Sequence, residues 1–91
     1  MPSLRVTGPD GSLRMLPFHG PELTVGGAPD NGLVLAGGGV SSHHCALVVQ
    51  AGRVHVVDRG STNGTFVNNV PTQQSDPLGE DDRIYVGQYL L

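Results

Sequence analysis

Glycine and proline divide this chain into pieces that are too short for helices. Its 91 residues include 14 glycines and 7 prolines, and glycine interrupts every window long enough for an amphipathic helix. The pieces between them are short runs that alternate apolar with polar residues or are rich in valine, which is typical of strands. The sequence therefore predicts an all-β fold, a sandwich or barrel of many short strands.

Turn signals separate the predicted strands. Gly8-Pro9-Asp10-Gly11 favours a first hairpin, and Gly87-Gln88 favours a last one. Between them we expect a central hairpin of the sheet from 45–49 and 54–57, and a mostly polar, loop-like segment from 69 to 77. The predicted strands lie at 4–6, 13–15, 23–25, 33–35, 45–49, 54–57, 65–67, 84–86 and 89–91.

Composition limits the size, partners and compartment of the chain. Residues 1–91 suffice for a single domain, and the final apolar run suggests the N-terminal part of a longer protein. With a formal charge of −3 and no lysine, the chain lacks the basic patch expected for nucleic acid or an anionic membrane. The single cysteine, Cys45, rules out an internal disulfide and is expected to be a small core residue. We predict a cytoplasmic protein with no membrane span.

The most distinctive polar turn runs from Asp58 to Asn69. Gly60 and Gly64 bracket the trio Ser61-Thr62-Asn63. Because glycine tolerates positive φ, this loop can present two hydroxyls and an amide on a restricted backbone. Such a loop is suited to hydrogen bonding with a partner.

Three hypotheses have little support in the sequence: a catalytic nucleophile, a metal site and a nucleotide-binding loop. Ser41 or Ser42 with a histidine and Asp58 could suggest a nucleophile, but no nucleophile-elbow motif or oxyanion hole accompanies them. A metal site at 43–45 would require adjacent side chains to converge on one ion. Adjacent side chains in a strand point to opposite faces, so they cannot do this. The glycine-rich loops lack the lysine of a phosphate-binding loop and the helix of a dinucleotide site. We therefore expect no enzyme activity, metal or cofactor.

Four stretches together resemble the forkhead-associated (FHA) domain family. Val40–Cys45 matches the family's S-x-x-H element, and Asp58–Asn68 matches its S-T-N-G-T element followed by asparagine. Asn31–Leu35 resembles its N-D-I-x-L strand, and Leu78–Gly87 resembles its closing segment. The order and spacing agree over nearly the whole chain.

The resemblance implies a β-sandwich of two twisted, mostly antiparallel sheets, with eleven strands in the family, whose loops at one end bind a phosphothreonine peptide. Ser41 would then hydrogen-bond the phosphate, and Ser42 and Thr62 would line the same pocket. Asn63 would hold the peptide backbone. The loops would be shaped by Gly26, His44 and Gly64.

One position departs from the family pattern. The family's phosphate-pairing arginine is replaced by Gly27. Arg59 is the nearest cation in sequence, but Asp58 beside it suggests a local ion pair, and a solvated charge at the end of a strand is the simpler interpretation. Two functions therefore remain open: a phosphothreonine-peptide-binding module, or an FHA-fold module that binds its partner independently of phosphorylation.

Overall fold

The computed structural model describes residues 3–18, 20–79 and 81–91. Within them lie ten strands in two sheets, which confirms the predicted all-β sandwich. The strands are β1 (Ser3–Thr7), β2 (Leu13–Pro17), β3 (Glu22–Gly26), β4 (Leu33–Val34), β5 (Cys45–Gln50), β6 (Arg53–Asp58), β7 (Thr65–Val67), β8 (Val70–Pro71), β9 (Ile84–Val86) and β10 (Tyr89–Leu90). No helix in this described part of the chain has the length and hydropathy to cross a bilayer.

The first sheet has six strands in the order β2-β1-β10-β9-β7-β8, and the second has four in the order β4-β3-β5-β6. All pairs are antiparallel except β3 with β4. The hairpins β1-β2, β5-β6 and β9-β10 form as the turn signals predicted.

The core lies between the sheets and consists mainly of aliphatic side chains. Val25, Leu47, Val56 and Val86 are almost completely buried there. Cys45 is also buried, as predicted, and burial raises the pKa of its thiol to about 12. The thiol therefore stays protonated and acts as a small apolar residue.

One prediction about the fold was wrong. The β5-β6 hairpin is not central, because β6 is the edge strand of its sheet. The segment 69–77 is mostly loop, as predicted, but Asn68 and Asn69 adopt positive φ and return the chain as the two-residue strand β8. After β8, backbone hydrogen bonds from Ser75 and Leu78 reach Val56 and Val54 and cover the β6 edge.

Candidate functional site

Three loops meet at one end of the sandwich. They are 27–32 after β3, 35–44 before β5, and 59–64 between β6 and β7. Cys45 pairs with both Val25 and Asp58, so the ends of β3 and β6 lie on either side of the start of β5. Sheet register therefore brings residues 26, 44 and 59 together from distant parts of the sequence.

Ser41 and Thr62 are joined directly. The Thr62 N–H donates to the Ser41 Oγ at 3.0 Å across a separation of 21 residues. No acceptor for the Ser41 hydroxyl hydrogen lies among the described hydrogen bonds. The hydroxyl is therefore oriented by Thr62 and can still donate to a ligand.

His44 ties the same two loops together below the surface. Its side chain is fully buried. The Ser41 N–H donates to Nδ1 at 3.1 Å, and the ring nitrogen Nε2 lies 2.8 Å from the Gly64 carbonyl oxygen. Because Nδ1 accepts, the ring proton lies on Nε2 and is donated to Gly64.

These bonds leave His44 unsuited to catalysis or metal binding. Both ring nitrogens are occupied, and His44 contacts the backbone of Ser41 instead of its hydroxyl. The neighbouring His43 is exposed and pairs with Asp30, with 3.0 Å to each carboxylate oxygen. Within the described residues no cluster of three His, Cys, Asp or Glu side chains could hold a metal ion.

The Asp58 carboxylate stabilises the 59–64 turn by accepting hydrogen bonds from it. One carboxylate oxygen accepts the N–H groups of Gly60 and Ser61 at 3.0 and 3.1 Å. The other accepts the Ser61 hydroxyl and, at 2.8 Å, the Thr65 hydroxyl. Partial burial would raise the pKa of Asp58, but the hydrogen bonds from Ser61 and Thr65 outweigh it and hold the pKa below its ordinary value.

The suggested Asp58–Arg59 ion pair is wrong. The Asp58 carboxylate is taken up by its own turn, so Arg59 turns to Glu22 on β3 instead. That pair is half-exposed at the side of the sandwich. The Arg59 guanidinium is therefore paired with a carboxylate that the sequence did not indicate, and no described hydrogen bond joins it to Ser41 or Thr62.

We predict that Asp58→Asn destabilises the fold by about 1–2 kcal/mol at pH 7, allowing for solvent screening. An amide cannot accept from the Ser61 and Thr65 hydroxyls and from both turn N–H groups at once. Since the folded-state pKa is depressed, the contribution is present above the unfolded pKa and is lost as the pH falls through the folded pKa, below about 4. Urea denaturation of the wild-type chain and of the Asp58→Asn variant at pH 7 and at pH 3 measures the difference in unfolding free energy.

Asp76→Asn is the matched control, because the exposed Asp76 carboxylate makes no hydrogen bond to the described residues. It should change the free energy of unfolding by less than about 0.5 kcal/mol at either pH. An Asp58→Asn effect that is equally large at pH 3 would assign the loss to packing instead of charge.

Gly26 and Asn31 fasten the first loop to the second. The Gly27 and Ala28 N–H groups donate to the carbonyl oxygens of Ser41 and Ser42 at 3.0 and 3.1 Å. The Asn31 side-chain Nδ2 donates to the same Ser42 oxygen at 2.7 Å. A Cβ at Gly26 would lie 2.2 Å from that oxygen, so only glycine fits.

Gly27 lies next to Gly26 in sequence, but the close approach to the Ser42 carbonyl does not limit the space at residue 27. It is exposed, and a Cβ built there would meet its nearest neighbour, the Leu35 carbonyl oxygen, at 3.6 Å. A side chain at this position would fit by ordinary contact. No described hydrogen bond or ion pair brings an arginine to Ser41, Ser42, Thr62 or Asn63.

Asn63 lines an open cleft of about 460 Å³ next to the Ser41–Thr62 link. The other side of the cleft is backbone from Gly39 and Gly87, where a Cβ at Gly87 would lie 2.8 Å from Val40. Gly60 and Gly64, which bracket the turn, have φ of 80° and 91° as their sequence positions predicted. The cleft is lined by Gly38, Gly39, Asn63, Gly64, Phe66, Gly87 and Gln88.

The structure thus assembles the residues singled out from the sequence at one end. Ser41, Thr62, His44 and Gly64 form one hydrogen-bonded unit. Gly26 is packed beneath the carbonyl of Ser42, whose side chain is exposed, and Asn63 faces the adjoining cleft. Sequence reasoning missed the parts played by Asp58 and Asn31. An aspartate with a glycine two residues later and a serine three residues later is an Asx-turn signal that could have identified Asp58.

Comparison with known proteins gives one consistent family. A family model described as FHA domain matches residues 23–87. The oxoglutarate dehydrogenase inhibitor of Corynebacterium diphtheriae is 36% identical over 84 residues, which cover 92% of this chain and 57% of that protein. The glycogen accumulation regulator GarA of Mycolicibacterium smegmatis is 34% identical over 84 residues, which cover 92% and 52%. The chain therefore spans little more than half the length of these relatives.

Solved structures agree with the family match over the whole fold. A structure from a study of phosphothreonine-dependent FHA domain interactions has a TM-score of 0.84 and 30% identity, covering 98% of this chain and 92% of that one. The FhaA FHA domain, solved in complex with the intracellular domain of Rv3910, has a TM-score of 0.83 and 30% identity, covering 94% and 93%. Both structures therefore match this chain over nearly its whole length.

Proposed function

Because the chain belongs to the FHA family, we propose that it is a protein-interaction module whose loop end binds a threonine-phosphorylated segment of a partner protein. The observation that carries the proposal is the Thr62 N–H to Ser41 Oγ hydrogen bond. It orients the Ser41 hydroxyl and leaves its hydrogen for a phosphate oxygen. A phosphothreonine offers three acceptor oxygens and about −1.5 to −2 charges, so oriented donors on a rigid rim suit it.

Each residue at the loop end has a proposed part. Ser41 donates to the phosphate, with the exposed Ser42 and Thr62 lining the same pocket. The Asn63 amide, which faces the cleft, hydrogen-bonds the peptide backbone. The loops are held in shape by Gly26, His44 and Gly64.

The same site also supports a second function, binding that does not depend on phosphorylation. Gly27 supplies no charge, Arg59 is paired with Glu22, and His43 is paired with Asp30. A phosphate dianion would thus be held by neutral donors, which give weaker hydrogen bonds than an arginine does. The shared fold does not by itself decide between these functions.

The module acts by binding and not by catalysis, in the cytoplasm. The similar proteins carry the names of an inhibitor and a regulator, and His44 is structurally engaged through both ring nitrogens. The buried, protonated Cys45 suits a reducing compartment. By analogy with the similar structure from the study of phosphothreonine-dependent FHA domain interactions, the partner is a protein that bears a phosphothreonine.

Titration with matched phosphorylated and unphosphorylated threonine peptides tests the proposal. We expect the phosphorylated peptide to bind more tightly, and Ser41→Ala and Asn63→Ala to weaken it. For Ser41→Ala the expected loss is about ten-fold or more, because a hydrogen bond to a charged group is removed. Isothermal titration calorimetry gives each affinity.

The control variant is Gln50→Ala, which removes an exposed amide where β5 meets the turn to β6, at the opposite end of that hairpin. It should bind the phosphopeptide like the wild-type chain. Equal binding of the two wild-type peptides would favour the phosphorylation-independent function, and unchanged binding by Ser41→Ala would place the site elsewhere.

A further inference from the structure

One row of side chains crosses the full width of the six-stranded sheet. Strand register aligns Leu13 with Thr7, Thr7 with Leu90, and Leu90 with Tyr85. Tyr85 then aligns with Phe66, and Phe66 with Pro71. Five of the six members are apolar or aromatic. We call this row the outer row: Leu13, Thr7, Leu90, Tyr85, Phe66 and Pro71.

The outer row faces away from the core. Its strand neighbours Val6, Thr65, Ile84 and Val86 are buried between the sheets, and successive residues of a strand point to opposite faces. The described core and the half-buried residues packed against it include no member of the row. Leu13 is 59% exposed, and Met15, two residues along on the same face, is 56% exposed.

This composition is unusual for the outer face of a sandwich, where polar residues normally alternate with the core positions. The outward face of the four-stranded sheet is mixed, with one row that aligns Glu22 with Val48 and His55. In the outer row the two ends, Leu13 and Pro71, are exposed, and the four members between them are half-buried. An apolar face that reaches solvent in this way is a candidate binding surface.

Phe66 connects the outer row to the candidate peptide site. It is a member of the row, and it also lines the cleft next to Asn63 and Gly64. A ligand in that cleft can thus continue onto the sheet. From β7 to β2 is four strand spacings, or about 19 Å, which about six residues of extended chain can cover.

The size of the face decides between a second copy of this chain and a partner bound at the loop end. Six strands at about 4.8 Å spacing, each only a few residues long, give a face of about 250–400 Å². A stable dimer needs about 800 Å² per subunit. A partner that is already held at the loop end needs much less, because the second contact forms at high effective concentration.

We propose that the outer row is a second docking surface for the phosphothreonine-bearing partner and receives apolar side chains of a segment flanking the phosphothreonine. This proposal rests on the proposed function. Such a contact would add affinity that a pocket without an arginine does not supply.

An oriented library of phosphothreonine peptides tests it, with about ten degenerate positions on each side of the phosphothreonine. The wild-type chain should enrich leucine, isoleucine, valine, methionine or phenylalanine about five or more positions from the phosphothreonine. The Leu13→Thr/Leu90→Thr variant should lose this enrichment, since threonine keeps the strand preference while removing apolar area. Val34→Thr, which alters an exposed apolar residue on the other sheet, is the matched control and should select as wild type does.

Titration of one selected peptide quantifies the effect. It should bind the wild-type chain at least ten-fold more tightly than the same peptide trimmed to its immediate flanks. The double variant should bind both forms with the affinity of the trimmed peptide. Leu13→Thr alone, at an exposed end of the row, should lose part of the gain, and this single variant serves as the test if the double variant does not fold.

The outcomes separate this proposal from the proposed function. If no apolar residue is enriched far from the phosphothreonine, or if the double variant keeps that enrichment, the second docking surface is overturned. Either result leaves phosphothreonine binding intact. Equal binding of the unphosphorylated selected peptide would overturn the phosphothreonine function. Dimerisation of the wild-type chain in sedimentation, lost in the double variant, would assign the face to a second copy and overturn the proposal.

Discussion

The Gly27→Arg variant is expected to bind a phosphothreonine peptide about ten- to a hundred-fold more tightly than the wild-type chain. A hydrogen bond to a charged group contributes about 1.5–3 kcal/mol, which corresponds to this range of affinity. Gly27 lies beside the proposed phosphate site, because its N–H donates to the Ser41 carbonyl oxygen at 3.0 Å. The variant would supply a cation beside Ser41, where the resemblance to the family pattern predicts one.

The fold can accept this change. A Cβ at residue 27 makes ordinary contact at 3.6 Å, and the residue is exposed. The Gly27 N–H to Ser41 bond does not depend on the side chain. Calorimetric titration with one phosphopeptide measures the gain, and lowering the salt concentration should increase it.

Gly27→Gln is the control for charge, since it adds a long polar side chain without a cation. It should gain much less than Gly27→Arg. If arginine and glutamine give the same affinity, or if neither improves binding, then residue 27 is not directed at a phosphate in this chain.

The Gly26→Ala variant is expected to lose about 3 kcal/mol or more of unfolding free energy. The new Cβ would lie 2.2 Å from the Ser42 carbonyl oxygen and 2.8 Å from its carbon. Both are backbone atoms, so the loops at 26–31 and 41–44 would have to separate. For a domain of this size such a loss is a large fraction of its total stability, and urea denaturation measures it.

The neighbouring glycine supplies the matched control. Gly27→Ala adds the same methyl group one residue away, where the nearest contact is 3.6 Å. It should change stability by less than about 1 kcal/mol and can stabilise by restricting the unfolded chain. Similar losses in both variants would mean that general loop flexibility, and not the Ser42 contact, determines the effect.

Most of the strands could be predicted from turn residues that are adjacent in sequence. The pairing between distant backbone segments could not be predicted. The turns at 8–11 and 87–88 are recognisable from a few adjacent residues, and both hairpins formed. The position of β6 at the sheet edge could not be predicted, because a valine-rich strand gives no indication of its neighbours. The segment that covers β6 pairs with it through the backbone N–H groups of Ser75 and Leu78. Because backbone pairing needs no particular side chains, no sequence pattern indicates it.

The candidate site residues were proposed from a resemblance to a family, whereas their contacts could not be predicted. The sequence placed Asp58 next to Arg59 and so indicated an ion pair. The turn N–H groups of Gly60 and Ser61 are closer in the folded chain and take the carboxylate. His44 likewise serves to hold two loops through both ring nitrogens, which depends on a fold that brings Gly64 within reach.

The central claim is that the loop end formed by Ser41 and Thr62 receives the phosphate of a partner. Amide chemical shifts in a ¹⁵N-labelled sample, followed during titration with a phosphothreonine peptide, test this most directly. We predict that the largest changes occur at Gly27, Ser42, Thr62 and Asn63, and that the unphosphorylated peptide produces much smaller ones. Equal changes with both peptides, or largest changes at the far end near Gln50 and Arg53, would contradict the account.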